Sequence, residues 1–162
     1  MKIFMPVLWS LLLFSLPVFA ANDSPLVAEN DLIKVSAERL EADDASRSVV
    51  FTGKVKARQA GMVVYADKMT LYYSDDESKE VDRVEIDGKL RIVQDDRIAT
   101  ADHGIFMNRQ GRVLLSGHAE VHQAGNSVVG DEIVYYLNES RSVVKSQPDS
   151  RVNAVFHPGG KP

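Results

Sequence analysis

The chain contains no cysteine, so neither a disulfide framework nor a thiolate metal site is available to it. It has no basic excess either: 19 lysines and arginines stand against 23 acidic residues, a net charge of −4. That balance argues against a nucleic-acid binder, which normally carries a basic face. No glycine-rich loop of the phosphate-cradling kind occurs, and no serine sits in a nucleophile-elbow pattern. After residue 20 no apolar run is long enough to span a bilayer as a helix. Helical periodicity is missing over the same stretch. These absences leave a cysteine-free β-protein without an evident reaction centre.

The first twenty residues are a separate unit. Lys2 gives a short basic start, Phe4 to Phe19 is almost wholly apolar, and Pro17, Val18, Phe19 and Ala20 close the segment. This is the plan of a secretory signal, with cleavage expected after Ala20; the alternative is an uncleaved anchor. Residues 21–30 read as a flexible polar segment, 31–158 as one domain and 159–162 as a tail. About 140 residues remain after the expected cut, an ordinary size for a single soluble domain.

Alternating segments recur along that domain. Val49, Phe51, Val55 and Ala57 alternate with Thr52, Lys54, Lys56 and Arg58. Val84, Ile86, Leu90 and Ile92 form a second such set, and Val113, Leu115, Ala119 and Val121 a third. A period of two marks strands with one buried face. Turn chemistry separates them at Asp43 to Ser46, Ala60-Gly61, Ser74 to Glu77, Asp95-Asp96, Asn108 to Gly111, Gly125-Asn126 and Asn138 to Ser140.

Superposing the segments exposes a repeat. A small residue followed by an acid occurs as Ala37-Glu38, Ala66-Asp67, Ala101-Asp102 and Gly130-Asp131, and a mid-strand glycine occurs at Gly53, Gly88 and Gly117. From glycine to the next acid is 14 positions each time, 53 to 67, 88 to 102 and 117 to 131. From acid to glycine is 15, 21 and 15 positions, the extra residues falling in the acidic turn near Ser74 to Val81. In the last repeat Val144-Lys145-Ser146 replaces the glycine region. Parity also changes at the acid: Met62, Val64 and Ala66 give way to Met69, Leu71 and Tyr73. Side chains alternate strictly along a strand, so each change predicts a bulge or corner. Long strands bent at repeated corners can serve two layers at once.

The run Val35 to Ala42 followed by Val49 to Val55, then Val63 to Tyr73, Leu115 to Ala119, Val129 to Tyr135 and Arg151 to Pro158, resembles the OstA-like family in order. The resemblance implies an all-β jelly roll of long bent antiparallel strands, a V-shaped slab with open ends and no catalytic role. It further implies a periplasmic bridge whose apolar interior carries the lipid A part of lipopolysaccharide. Such slabs stack head to tail by strand pairing, between the inner-membrane component LptC and the amino-terminal domain of outer-membrane LptD. On that reading the lipid-binding lining is Ile33, Val35, Phe51, Val55, Met69, Leu71, Ile86, Ile92, Phe106, Leu115, Val121 and Tyr135. Ile33 and Ile92 are favoured, because their positions match the family's lipid-contacting strands. Alternation alone demands burial without saying whether protein or lipid does the burying. The stacking edges are expected at Leu32, Ile33, Lys34 and Val35, and at Arg151, Val152, Ala154 and Phe156.

Other constellations carry less. The repeated acids could be calcium ligands, but acids also suit corners. His118 and His122 would share zinc on a helix, whereas on a strand they lie about 13 Å apart. No metal or cofactor is expected. Lys54, Lys56, Arg58, Lys89 and Arg91 could meet lipid phosphates at a groove rim, or form a solvated strand face. Three functions therefore compete: a lipid-conducting bridge, a scaffold filled by its own side chains, and an extracytoplasmic hydrolase. The last lacks a converging acid–base–nucleophile set.

Overall fold

The computed structural model describes residues 32–77 and 80–158. The expected signal, the segment 21–30 and the tail lie outside these residues. The described chain is a set of antiparallel strands joined by tight turns. β1 (Lys34–Ser36) and β2 (Arg39–Asp43) are short; β3 (Ser48–Gln59), β4 (Met62–Tyr73), β5 (Val81–Gln94), β6 (Arg97–Met107), β7 (Arg112–Gln123) and β8 (Asn126–Tyr136) are long. β9 (Arg141–Lys145) and β10 (Asn153–Val155) are short again. A single 3-10 turn over Leu137–Glu139 precedes β9, and no α-helix occurs among the described residues.

All ten strands belong to one hydrogen-bonded sheet, ordered β1-β3-β4-β5-β6-β7-β8-β10, with β2 beside β3 and β9 beside β8. The order is almost that of the sequence, because the long strands are joined by two- to four-residue turns, except for seven residues between β4 and β5, and such short connections favour antiparallel neighbours. The sheet is open: β1 and β2 bound it on one side, β9 and β10 on the other.

Every long strand is interrupted in its middle. Pairing jumps between Thr52 and Val55, Tyr65 and Lys68, Asp87 and Leu90, Thr100 and His103, and Ser116 and Ala119. These are the corners that the parity changes predict. The glycine strand carries one more corner residue than its acidic partner: between paired positions, β3 spends Gly53 and Lys54 where β4 spends only Asp67 or its equivalent. An unmatched residue bends a strand and raises its local twist. Gly53, Gly88 and Gly117 have φ of 83°, 77° and 73°, and Lys54, Lys89 and His118 after them are also left-handed. The repeat has a direct physical reading here. A Cβ on Gly88 would lie 2.6 Å from the Asp67 carboxylate, and one on Gly117 would lie 2.5 Å from that of Asp102. Each acid therefore lies over the glycine of the following strand, and only glycine leaves room for it.

The corners fold the sheet into two facing arms. One contains β1, the second halves of β3, β5 and β7, the first halves of β4, β6 and β8, and β10. The other contains β2, the complementary halves and β9. Directly paired residues share a face, so the inward sets follow from the register. The first arm is alanine-rich: Ala57, Ala66, Ala99, Ala101 and Ala119 are all buried. The second is bulky, with Met69, Leu71, Ile86, Leu115 and Ile133 buried. Small residues opposite large ones let the arms close at the corner. Val55 and Leu90 are each only 1% exposed there and Ala119 is fully enclosed. Leu90 meets the space above Gly104, at 2.5 Å from an added Cβ.

Candidate functional site: an apolar trough between the arms

Burial falls away from the corner on both arms. Along β5, Leu90 is sealed, Ile92 half-buried and Gln94 exposed; along β7, Ala119 is enclosed, Val121 half-buried and Gln123 exposed. On the bulky arm Leu115 is buried while Val113 is partly open. A packed two-layer core would be most buried at its middle. Here the deepest residues line the apex of a wedge, and the wedge widens outward.

Between the arms near the β1 side lies a cavity of about 240 Å³. Ile33, Ala57, Met62 and Val64 wall it from the alanine-rich arm, and Met69, Leu71, Val84, Ile86 and Phe106 from the bulky arm. Val81, Arg58, Gln59 and Asn108 complete its lining. Asn108 is occupied locally, its Nδ2 donating to the Val81 carbonyl at 3.0 Å. Apolar walls with a few polar groups are the usual composition of a pocket for an apolar ligand.

Of the twelve residues expected to line the interior, Ile33, Met69, Leu71, Ile86 and Phe106 meet at this cavity. Val35, Phe51, Ile92 and Val121 are half-buried and pack against the same core, and Tyr135, paired with Val113, is half-buried on the inner face. Val55 and Leu115 lie at the sealed apex. Ala57, Met62, Val64 and Val84 belong to the cavity but were outside that set. Parity is the available signal: Val84 alternates in phase with Ile86, Ala57 with Val55, and Met62 and Val64 with Ala66 ahead of the corner.

The expected edge residues are at the sheet margins. Lys34 and Val35 lie on β1, and Ala154 on β10. Leu32 and Ile33 are 46% and 45% exposed, Val152 42% and Phe156 70%. β2 adds Leu40 to the same side at 58%.

The basic residues are dispersed. Lys54 is tied to Glu38 at 2.7 Å at a corner. Lys56 pairs with Tyr65, its ammonium 5.2 Å from the ring centre, and Tyr65 pairs with Arg91, all on the outer face of the alanine-rich arm. Of the five named cations only Arg58 borders the cavity. The corner acids also find local partners. His118 Nδ1 lies 2.7 Å from Asp102 Oδ2, and that hydrogen bond with the attendant charge raises the imidazole pKa. His103 Nδ1 stands 2.9 Å from Asp87. Asp131 accepts from Ser150 Oγ at 2.5 Å and from the Gln147 amide at 2.8 Å, which lowers its pKa. His122 pairs with Glu120, away from His118.

A family profile described as "LptA/(LptD N-terminal domain) LPS transport protein" matches residues 34–141, from β1 to the start of β9. The chain belongs to this family. Among relatives of the LptA/LptD N-terminal family, lipopolysaccharide export system protein LptA of Escherichia coli (strain K12) is 29% identical over 161 residues, covering 92% of this chain and 81% of that one. An uncharacterised protein of Rhizobium meliloti (strain 1021) is 27% identical over 114 residues, 67% of this chain but only 58% of that protein. The fold matches the crystal structure of LptH, the LptA-homologous periplasmic component of the lipopolysaccharide transport device of Pseudomonas aeruginosa. The TM-score is 0.70 at 24% identity, over 80% of this chain and 98% of that one. The bent-strand sheet is thus the family's fold, as the sequence led one to expect.

Proposed function

We propose that the protein is a non-enzymatic periplasmic carrier that holds lipopolysaccharide by its acyl chains in the trough. In this reading it passes the lipid along strand-paired slabs, from LptC at one end to the amino-terminal domain of LptD at the other. One observation carries the proposal: in a member of a lipopolysaccharide-transport family, the arms leave an apolar cavity of about 240 Å³ between them. The energetics favour such a device. Burying a methylene is worth about 0.8 kcal/mol, so a twelve-carbon chain represents roughly 10 kcal/mol. No such chain crosses water quickly unaided, and a carrier needs only continuous apolar surface to lower that barrier. Covalent chemistry is not required.

The twelve inward residues are proposed lipid contacts, Ile33, Ile92 and Phe106 foremost, since these remain accessible from the wedge. The exposed margins, Leu32 to Val35 on one side and Arg151 to Phe156 on the other, are proposed as the joints between slabs. Export through cleavage after Ala20 belongs to the same reading.

The competing scaffold reading draws on the sealed apex, where Val55 and Leu90 leave no room for a ligand. Site-specific photocrosslinking in cells separates the two. A photoreactive residue at Ile33, Ile92 or Phe106 is expected to capture labelled lipopolysaccharide, while one at outward Val129 captures none. Absence of adducts at all three inward positions would leave only the scaffold.

A further inference from the structure

The inward side chains of the alanine-rich arm change character at the last position beside each hairpin turn. Ala57 is followed by Gln59 on β3, Ile92 by Gln94 on β5 and Val121 by Gln123 on β7. Ala99 is preceded by Arg97 on β6, and Val128 by Asn126 on β8. On the six long strands only Met62 breaks the series. Gln94 pairs with Arg97, Arg97 with Gln123 and Gln123 with Asn126, so these side chains form one row along the inner lip of the arm. Neighbouring strands lie about 4.8 Å apart, so from β3 to β8 the row extends about 24 Å. Polar residues beside turns usually serve solvation, which would place them outward. Here the outward residues at the same height, Val63, Val93 and Ile98, are apolar and half-buried. The facing lip differs as well: Tyr73 and Val81 pack against the apolar core. The cavity reaches both lips, since Gln59 and Val81 both line it.

Much of the row's hydrogen-bonding capacity is unused by the protein. The side chains of Gln59 and Gln94 make no hydrogen bond among the described residues. Arg97 donates from Nε and Nη2 to Gln123 Oε1 at 3.3 and 3.2 Å, and Asn126 Oδ1 accepts from the His157 amide at 2.9 Å. A carboxamide both donates and accepts, as a hydroxyl does, whereas an ionised phosphate oxygen only accepts. A run of amides therefore matches a hydroxylated head better than an anionic one, and its one cation is already engaged. We propose that this lip is a contact track for the sugar hydroxyls of a glycolipid head, with the acyl chain in the apolar wedge beneath. This rests on the trough being a lipid carrier and adds the chemistry and the side of the head. The sugars lie over the amide row of the alanine-rich arm, and the apolar lip of the other arm covers the tail.

Monomeric dodecyl maltoside and dodecyl phosphate share one tail and differ in the head, and their binding to the full exported chain tests this. Wild type is compared with a double variant, Gln59→Met and Gln94→Met, which keeps side-chain length and removes two amides. The ratio of maltoside to phosphate affinity is expected to fall about three- to tenfold, the scale of one or two hydrogen bonds. Taking the ratio cancels any change in how the tail packs. An unchanged ratio overturns the track, whether both ligands weaken or neither does. A ratio that rises makes the row a phosphate site and overturns it too. Maltose alone, competing at the concentrations of dodecyl maltoside, would make it a free-sugar site and reject the assignment to a lipid head. If wild type binds neither dodecyl ligand, the carrier reading fails and the track with it, a result distinct from an unchanged ratio. Neither glutamine side chain has a protein partner to lose, so the double variant keeps its fold, which the thermal transition verifies.

Discussion

At the residue scale the corners are the most constrained points of the molecule. Gly117 combines a φ of 73° with a carboxylate where its Cβ would be. Gly117→Ala therefore has no relaxed conformation, and a loss of about 2 kcal/mol is expected from the backbone and steric strain. Gly61 has a similar φ of 81° but open space around it, so Gly61→Ala should cost only the backbone part, about 1 kcal/mol. Chemical denaturation of both variants checks the difference. Equal losses would mean that the acid is not packed over the glycine. The histidines give a second prediction at this scale. Asp102 raises the pKa of His118 above 6.5, so the native state holds the proton more tightly than the unfolded chain. The stabilising contribution is complete below the unfolded pKa and fades as pH rises through the folded one. NMR titration should place the His118 midpoint above 6.5, and Asp102→Asn should return it toward that value. Asp131 has the opposite sign: its lowered pKa contributes above the unfolded value and is lost as pH falls through the folded one.

At the element scale, most strands and turns were legible because each long strand carries its own phase information. The switch from Met62, Val64 and Ala66 to Met69, Leu71 and Tyr73 reports a corner without any knowledge of neighbours. Turn chemistry held too, with a shift of one residue at the β7–β8 hairpin, where Ala124 and Gly125 take the left-handed conformations and Asn126 begins β8. Less was legible where the outcome depends on what lies across the fold. Parity marks Val55 and Ile92 alike as inward, yet Val55 is sealed at the apex and Ile92 stands half-open. Distance from the corner decides, and only the folded sheet supplies it. Val134 shows the same limit: on the face opposite Ile133 it is nevertheless only 7% exposed, and it lies outside the main core cluster. The basic residues of β3 and β5 could read as a groove rim or as a solvated strand face, and the register decides for three of them: Lys56, Arg58 and Arg91 share the outer face of the alanine-rich arm. The edge strands make their own prediction. Phe156 is 70% exposed beside β10, an arrangement that invites pairing with another sheet margin. Phe156→Lys should reduce concentration-dependent self-association in sedimentation velocity and leave the thermal midpoint of the monomer unchanged. Undiminished association would move the joint elsewhere.

For the whole molecule the repeat, the corners and the wedge are one design. A single sheet folded along a line of acid–glycine contacts places small residues opposite large ones, so the arms touch at the apex and part beyond it. The sequence period therefore determines a trough that runs across the strands, with its apolar cavity toward the β1 margin. In the carrier proposed above, an acyl chain takes the place that a globular protein fills with its own side chains. The direct measurement is to fill the gap. Val84 is half-buried and lines the cavity, and Val84→Trp places a large ring in it. If the trough is open for lipid, the variant keeps or raises its thermal midpoint and loses acylated-lipid binding. A midpoint lowered by an overpacking cost of about 1–3 kcal/mol, with lipid binding intact, would contradict the account.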